Sequence, residues 1–136
     1  MNLMVCLDNS YGLSFFGRRQ SMDSALRRRA MELTEGKKLY LDAYSAGQFS
    51  DFSGSIQVVE DPAEQVPQDG WYFLELSDPE ALLQNVQLLA VFHWNRDYPS
   101  DKRFPLAHLR KNAVLLFREE FPGSSHESIT LEVYQL

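Results

Sequence analysis

Four short stretches hold the residue types that could do chemistry. GSSHES, Gly123 to Ser128, sets two serines beside a histidine and a glutamate: the parts of a hydrolase, or a polar turn between two strands. RRQS, Arg18 to Ser21, sets two guanidinium groups before a segment with helical spacing, and such a pair beside a helix N-terminus suits a phosphate or carboxylate. Asp23 follows at once. In WNRDY, Trp94 and Tyr98 flank Asn95 and Arg96, a set that fits either a pocket for a ring-bearing anion or a cap on the end of a strand.

Other chemistry lacks its pattern. His93, His108 and His126 have no metal-ligand spacing, and there is neither a HExxH motif nor a P-loop. His93 lies in an apolar run and reads as a hydrogen-bonded core histidine. A serine hydrolase needs an orienting carboxylate, an oxyanion hole and usually a strained elbow; no GxSxG is present, and adjacent Ser and His on a strand point to opposite faces. GSSHES therefore reads as a turn.

These residues need a scaffold. A chain of 136 residues with 44% hydrophobic and 12% aromatic content can bury one core, so residues 1–136 are expected to form a single domain. The net charge of −6 argues against general nucleic-acid binding and against an anionic membrane. Between Arg18 and Lys38, however, seven basic residues face three acidic ones, which leaves room for a local anion site. Arg27, Arg28 and Arg29 span too wide an arc to form one claw and read as a solvated helix face. One cysteine, Cys6, excludes an internal disulfide or CxxC site, and its apolar neighbours suggest a buried, inert thiol. With no signal-like start and no spanning stretch, the expected location is cytoplasmic.

Leu3 to Leu7 is a continuous apolar run, the pattern of a strand covered on both faces, and a loop from Asp8 to Gln20 follows it. Ser21 can cap a helix with Met22, Leu26, Ala30 and Leu33 on one face, stopped by Gly36. Strands are expected at Lys38 to Leu41, Ile56 to Val59, Trp71 to Leu76 and Val86 to Trp94, with a helical turn at Tyr44 to Phe49 and a capping box at Ser77 and Glu80. Glu60 to Gly70 and Asn95 to Lys111 read as loops, and Ala113 to Phe117 with Ile129 to Leu136 as a closing pair of strands. The sum is an α/β fold: a mostly parallel central sheet flanked by helices, with a C-terminal antiparallel hairpin.

That order, with NLMVCLDNSYGLSFFG at the start, VQLLAVFHWNRDYPSDKRFP in the middle and FREEFPGSSHESITLEVYQL at the end, resembles the dihydrofolate reductases. The three segments are similar to that family's first strand and mobile loop, its long strand with the loop to Phe104-Pro105, and its closing hairpin with an acidic residue, here Glu132. The resemblance implies a dihydrofolate-reductase-like scaffold. It also implies that Asp101 and Ser125 sit where hydrogen bonds hold the mobile loop, so both are expected to contact Tyr11 to Gln20. For Asp23 two readings stand: the acid that orients a pterin, or a carboxylate serving the helix dipole.

The cofactor pattern departs from the family. NADPH would meet a glycine-rich turn, but Leu74, Glu75 and Leu76 occupy that region. Asp42-Ala43 stands in place of a second cofactor contact, and Arg18-Arg19-Gln20 replaces the Leu-Pro-Trp signature of the loop. The expectation is no NADPH and no other cofactor. Ligands of open α/β sheets lie beyond the strand carboxyl ends. Asp8, Asn9, Arg18, Arg19, Gln20, Ser21, Tyr44, Ser45, Asn95 and Arg96 are the candidates there, for a small anionic ligand of nucleotide-like or phosphorylated kind. The other readings are a non-catalytic interaction protein on the same scaffold and a remodelled NADPH-dependent reductase.

Overall fold

The computed structural model describes residues 1–136. In chain order the strands are β1 (Asn2–Leu7), β2 (Gly12–Phe15), β3 (Arg18–Arg19), β4 (Leu39–Leu41), β5 (Ile56–Val58), β6 (Trp71–Phe73), β7 (Leu88–His93), β8 (Lys102–Arg103), β9 (Val114–Phe121) and β10 (Ile129–Gln135). The helices are α1 (Ser24–Leu33), α2 (Ala43–Ala46), α3 (Pro62–Gln65), α4 (Glu80–Leu83) and α5 (Leu106–Leu109), and a 3-10 segment spans Gly47–Ser55.

Seven strands make the main sheet in the order β5-β4-β6-β1-β7-β10-β9. The first five run parallel, and β10 is antiparallel to both β7 and β9. The apolar run of β1 explains its central place. Leu3, Val5 and Leu7 point to one face, where they meet Tyr72, Leu74, Leu89, Val91 and Phe104. Met4 points to the other, with Leu26 and Ala30 of α1, Phe49, Phe73, Phe92 and Leu131. Phe49 sets its edge on Phe73 at 5.0 Å, so the 3-10 segment is pinned to this second core. Truncating a buried ring of this kind to alanine costs about 3–5 kcal/mol.

Several local expectations change. The stretch Asp8 to Gln20 is not an open loop: β2 and β3 form a two-residue hairpin with Phe15 opposite Arg18, and β8 adds a third strand on the other side of β2. Residues 60–70 contain α3, and residues 95–111 contain β8 and α5. Ser21 does not cap α1; Asp23 does, its Oδ1 accepting from Leu26 N at 3.1 Å, and Met22 lies outside the helix and exposed. Thr34 is the C-cap, so Glu35 takes the first left-handed position at φ 52° and Gly36 the second at 83°. The expected capping box is replaced by a single bond from Glu80 N to Asp78 Oδ1, with no side-chain cap from Ser77. Strand β9 runs on to Phe121, and Val114 to Phe117 are exposed because it is the sheet edge.

Candidate functional site

The carboxyl ends of β1, β6 and β7 open toward the small three-stranded sheet. Asp8, at the end of β1, is buried and spends its carboxylate on backbone: Oδ1 accepts from Ser10 N and Gly12 N, and Oδ2 from Tyr98 N. Asn9 donates to Asp97. Both residues therefore fold the loop over the sheet. The hairpin that follows turns at Phe16 and Gly17 with φ 50° and 65°. A two-residue turn with two positive φ values favours Asn-Gly, and phenylalanine in this region costs roughly 1–2 kcal/mol. Phe16 nonetheless stands 77% exposed at the tip. Asp101 secures that tip, its Oδ2 accepting from Phe16 N at 3.2 Å while its own N donates to Ser14 O.

Between this hairpin and the segment after β7 lies a cleft of about 460 Å³ lined by Phe15, Phe16, Arg18, Arg19, Gln20, Tyr98 and Pro99. Arg18 is exposed and forms no ion pair. Gln20 donates to Pro99 O, but its Oε1 is buried without a partner. Arg19 differs from Arg18: its Nε and Nη2 hold Glu75 at 2.9 and 3.1 Å, and its guanidinium lies 4.2 Å over the Tyr44 ring. Gln48 also donates to Glu75. Tyr44 accepts from Arg19 N through its hydroxyl, and Ser45 is fully buried with an unpartnered Oγ. The pair Arg19–Glu75 is thus a strut joining the hairpin to the end of β6, and Arg18 is the free cation of the two.

Beneath the hairpin is a second assembly, built from α1 and the turn between β9 and β10. The Asp23 carboxylate has no exposed surface. Besides Leu26 N it accepts from Ser124 N at 3.1 Å, Ser125 N at 2.9 Å and His126 Nδ1 at 2.9 Å. Burial alone would raise its pKa; the N–H of Ser125, the His126 ring and the N–H groups of Ser124 and Leu26 overcome that and hold the carboxyl well below the usual carboxylate range. The other ring nitrogen, His126 Nε2, faces two hydroxyls: Ser21 Oγ at 3.1 Å and Tyr98 OH at 2.9 Å. Trp94 stacks on the imidazole at 4.5 Å and 26°. An ionised Asp23 fixes the Nδ1–H tautomer, which leaves Nε2 as an acceptor toward Ser21 and Tyr98.

The remaining candidates fall elsewhere. Asn95, at φ 58°, donates to Thr130 Oγ1 and Ser128 O and ties the end of β7 to β10. Arg96 lies at a separate hollow with Glu127 and Ser128. Ser125 makes no hydrogen bond to Tyr11 to Gln20; its Oγ donates to Met22 O at 2.9 Å, just beyond that segment. It also stands 3.2 Å from His126 Nδ1, since residues 122–128 form a turn and the opposite-face rule for strands does not apply to them. His93 bonds Glu132 at 2.6 Å, and Arg110 adds 2.8 Å to the same carboxylate, in a part-buried cluster that does not line the cleft. Burial lowers the His93 pKa despite that partner. Cys6 is partly covered, and burial, with Glu75 nearby, pushes its thiol well above the ordinary range. No group of three potential metal ligands exists, and no helix is long and apolar enough to cross a membrane.

The whole chain can be compared with known folds on this geometry. A dihydrofolate reductase from Enterococcus faecalis, solved with NADP(H) and RAB-propyl, superposes with a TM-score of 0.66 over 98% of this chain and 94% of that one, at 10% identity. The fold is dihydrofolate-reductase-like. No family model matches the sequence, and no curated protein does. Likeness at this identity concerns the scaffold alone, so the chemistry of a dihydrofolate-reductase-like chain has to be argued from its own side chains. Sequence reading singled out Asp23 and the His126 turn separately but missed Ser21 as the partner of that histidine. No local signal could have joined them, because 105 residues separate the two.

Proposed function

We propose that the protein binds a small anionic ligand bearing a planar N–H-containing ring, nucleotide-like in chemistry, in the cleft between the β2–β3 hairpin and Tyr98-Pro99. The lining carries the reading: three aromatic rings, two arginines and an amide, with no carboxylate among them. Arg18 supplies uncommitted positive charge, the unpartnered Gln20 Oε1 awaits an N–H donor, and Phe16 and Tyr98 offer ring faces. A volume of about 460 Å³ suits one small molecule. An exposed aromatic side chain held at positive φ is the kind of local cost that persists at ligand sites.

The residues do not fit a nicotinamide dinucleotide. By the sequence resemblance, Leu74 and Glu75 fall in the region of the family's glycine turn; both are buried, and Asp42 uses its carboxylate to cap α2 through Ser45 N.

The test is a thermal-shift screen of nucleotides, sugar phosphates, folates and pyridine nucleotides. A ligand at about 100 times its Kd stabilises by roughly 2.7 kcal/mol, and Arg18→Ala should abolish most of that shift. A ligand that shifts wild type and Arg18→Ala equally, or a low-micromolar Kd for NADPH, would overturn the assignment.

A further inference from the structure

The Asp23–His126 assembly has parts that ligand binding does not use. Its carboxylate is buried, ionised and aimed at one ring nitrogen; its opposite nitrogen meets a hydroxyl at 3.1 Å and another at 2.9 Å. Tyr98 lines the cleft, and Ser21 directly follows the cleft residue Gln20 in the chain. Ser125 is not the hydroxyl in play, because its Oγ lies on the Nδ1 side, where the Asp23 carboxylate already accepts the ring N–H.

We propose that Ser21 is an acyl-accepting nucleophile, with His126 as its general base, Asp23 as the positioning residue behind the base and Tyr98 as the oxyanion donor, in the hydrolysis of small carboxylic esters. Ser21 Oγ attacks the ester carbonyl and its proton passes to Nε2. Once Nε2 is protonated it no longer accepts from Tyr98, so the phenol turns its O–H to the oxygen that has gained the electron pair. As the tetrahedral centre collapses, the carbon–oxygen bond to the alcohol breaks and the leaving oxygen takes the Nε2 proton. Water, deprotonated by the same nitrogen, then attacks the acyl carbon, and Ser21 leaves with its proton restored. The net change is ester plus water to acid plus alcohol. For its substrate the proposal rests on the cleft being a ligand site; for its mechanism it rests only on the four side chains.

The experiment uses a fluorophosphonate, a neutral probe that phosphonylates serine with loss of fluoride and needs no anion site, so its outcome is separable from that of the ligand screen. Intact mass should show one adduct per chain, peptide mapping should place it on Ser21, and Ser21→Ala should not label. In that variant Nε2 keeps its contact with the Tyr98 hydroxyl at 2.9 Å. Labelling should slow by about 100-fold in His126→Gln shown to be folded by its melting curve. Failure of wild type to label from mildly acid to mildly alkaline pH would overturn the proposal. So would an adduct on another residue, undiminished labelling of Ser21→Ala, or a folded His126→Gln that labels at the wild-type rate.

Discussion

Replacing Asp23 tests how much of the fold hangs on one buried carboxylate. In Asp23→Ala four donors lose their acceptor at once: Leu26 N, Ser124 N, Ser125 N and His126 Nδ1. Loss of a helix N-cap costs about 1 kcal/mol, and hydrogen bonds to a charged group contribute about 1.5–3 kcal/mol each. Water entering the space left by the side chain recovers part of this, so the expected loss is about 4–6 kcal/mol, a large share of a typical total of roughly 5–15 kcal/mol. Asp23→Asn keeps an acceptor for Leu26 and Ser124 but turns an amide N–H toward Ser125 N; its expected cost is about 2–3 kcal/mol. Denaturant melts of the three proteins at neutral pH measure both figures. Acid adds a second readout. The folded-state pKa of Asp23 is depressed, so the unfolded chain binds the proton more readily, and stability present above about pH 4 is lost as the pH falls. The slope of stability against pH in acid should therefore be shallower in Asp23→Asn than in wild type. A loss below about 1.5 kcal/mol in Asp23→Ala, or equal acid slopes in Asp23→Asn and wild type, would refute the reasoning.

Gly123→Ala attacks the same carboxylate from outside, because a Cβ there would lie 2.5 Å from Asp23 Oδ2 and 2.7 Å from the His126 carbonyl oxygen; denaturant melts should show a loss of roughly 2–4 kcal/mol. Phe16→Asn places Asn-Gly in the hairpin turn and should raise stability by about 0.5–1 kcal/mol while weakening any ligand that shifts the wild type; a fall in Tm would remove the strain argument. Arg19→Ala strands a buried Glu75 with Gln48 as its sole donor and should cost about 3–5 kcal/mol, much of it recovered in the double variant Arg19→Ala with Glu75→Gln. A double variant no more stable than Arg19→Ala would show that the strut acts through Tyr44 instead.

The central strands were legible because each is a short uninterrupted apolar run bounded by polar residues, the pattern of a strand covered on both faces. The helix entry was less so. Ser21, Asp23 and Ser24 are all capping residue types, and the choice of Asp23 depends on Ser124 and Ser125 arriving from the far end of the chain. The hairpin at Phe16 was hidden by its own strain, since a phenylalanine gives no sign of left-handed backbone. Arg19 and Glu75 read as separate charges, one a ligand contact and the other an obstacle to phosphate, and their pairing at 2.9 Å across 56 residues follows from topology that no local pattern encodes. GSSHES was correctly a turn. Its histidine acquired chemistry from Ser21 and Asp23 rather than from the serines beside it.

Strand order also governs when the molecule can come together. β10 is synthesised after every other strand, yet it lies between β7 and β9 in the finished sheet, and β1, made first, lies between β6 and β7. A nascent chain emerging from the ribosome can join β1 to β6 and then β7, but the far edge of β7 stays open until residues 129–135 arrive. Throughout that interval β9, with its exposed Val114 to Phe117, has no partner, and long-range pairing of this sort is slow and open to misassociation. His126 reaches Asp23 only with the turn that delivers β10. Elongation intermediates stalled before that point should therefore be sticky, protease-sensitive and devoid of any activity that depends on the imidazole.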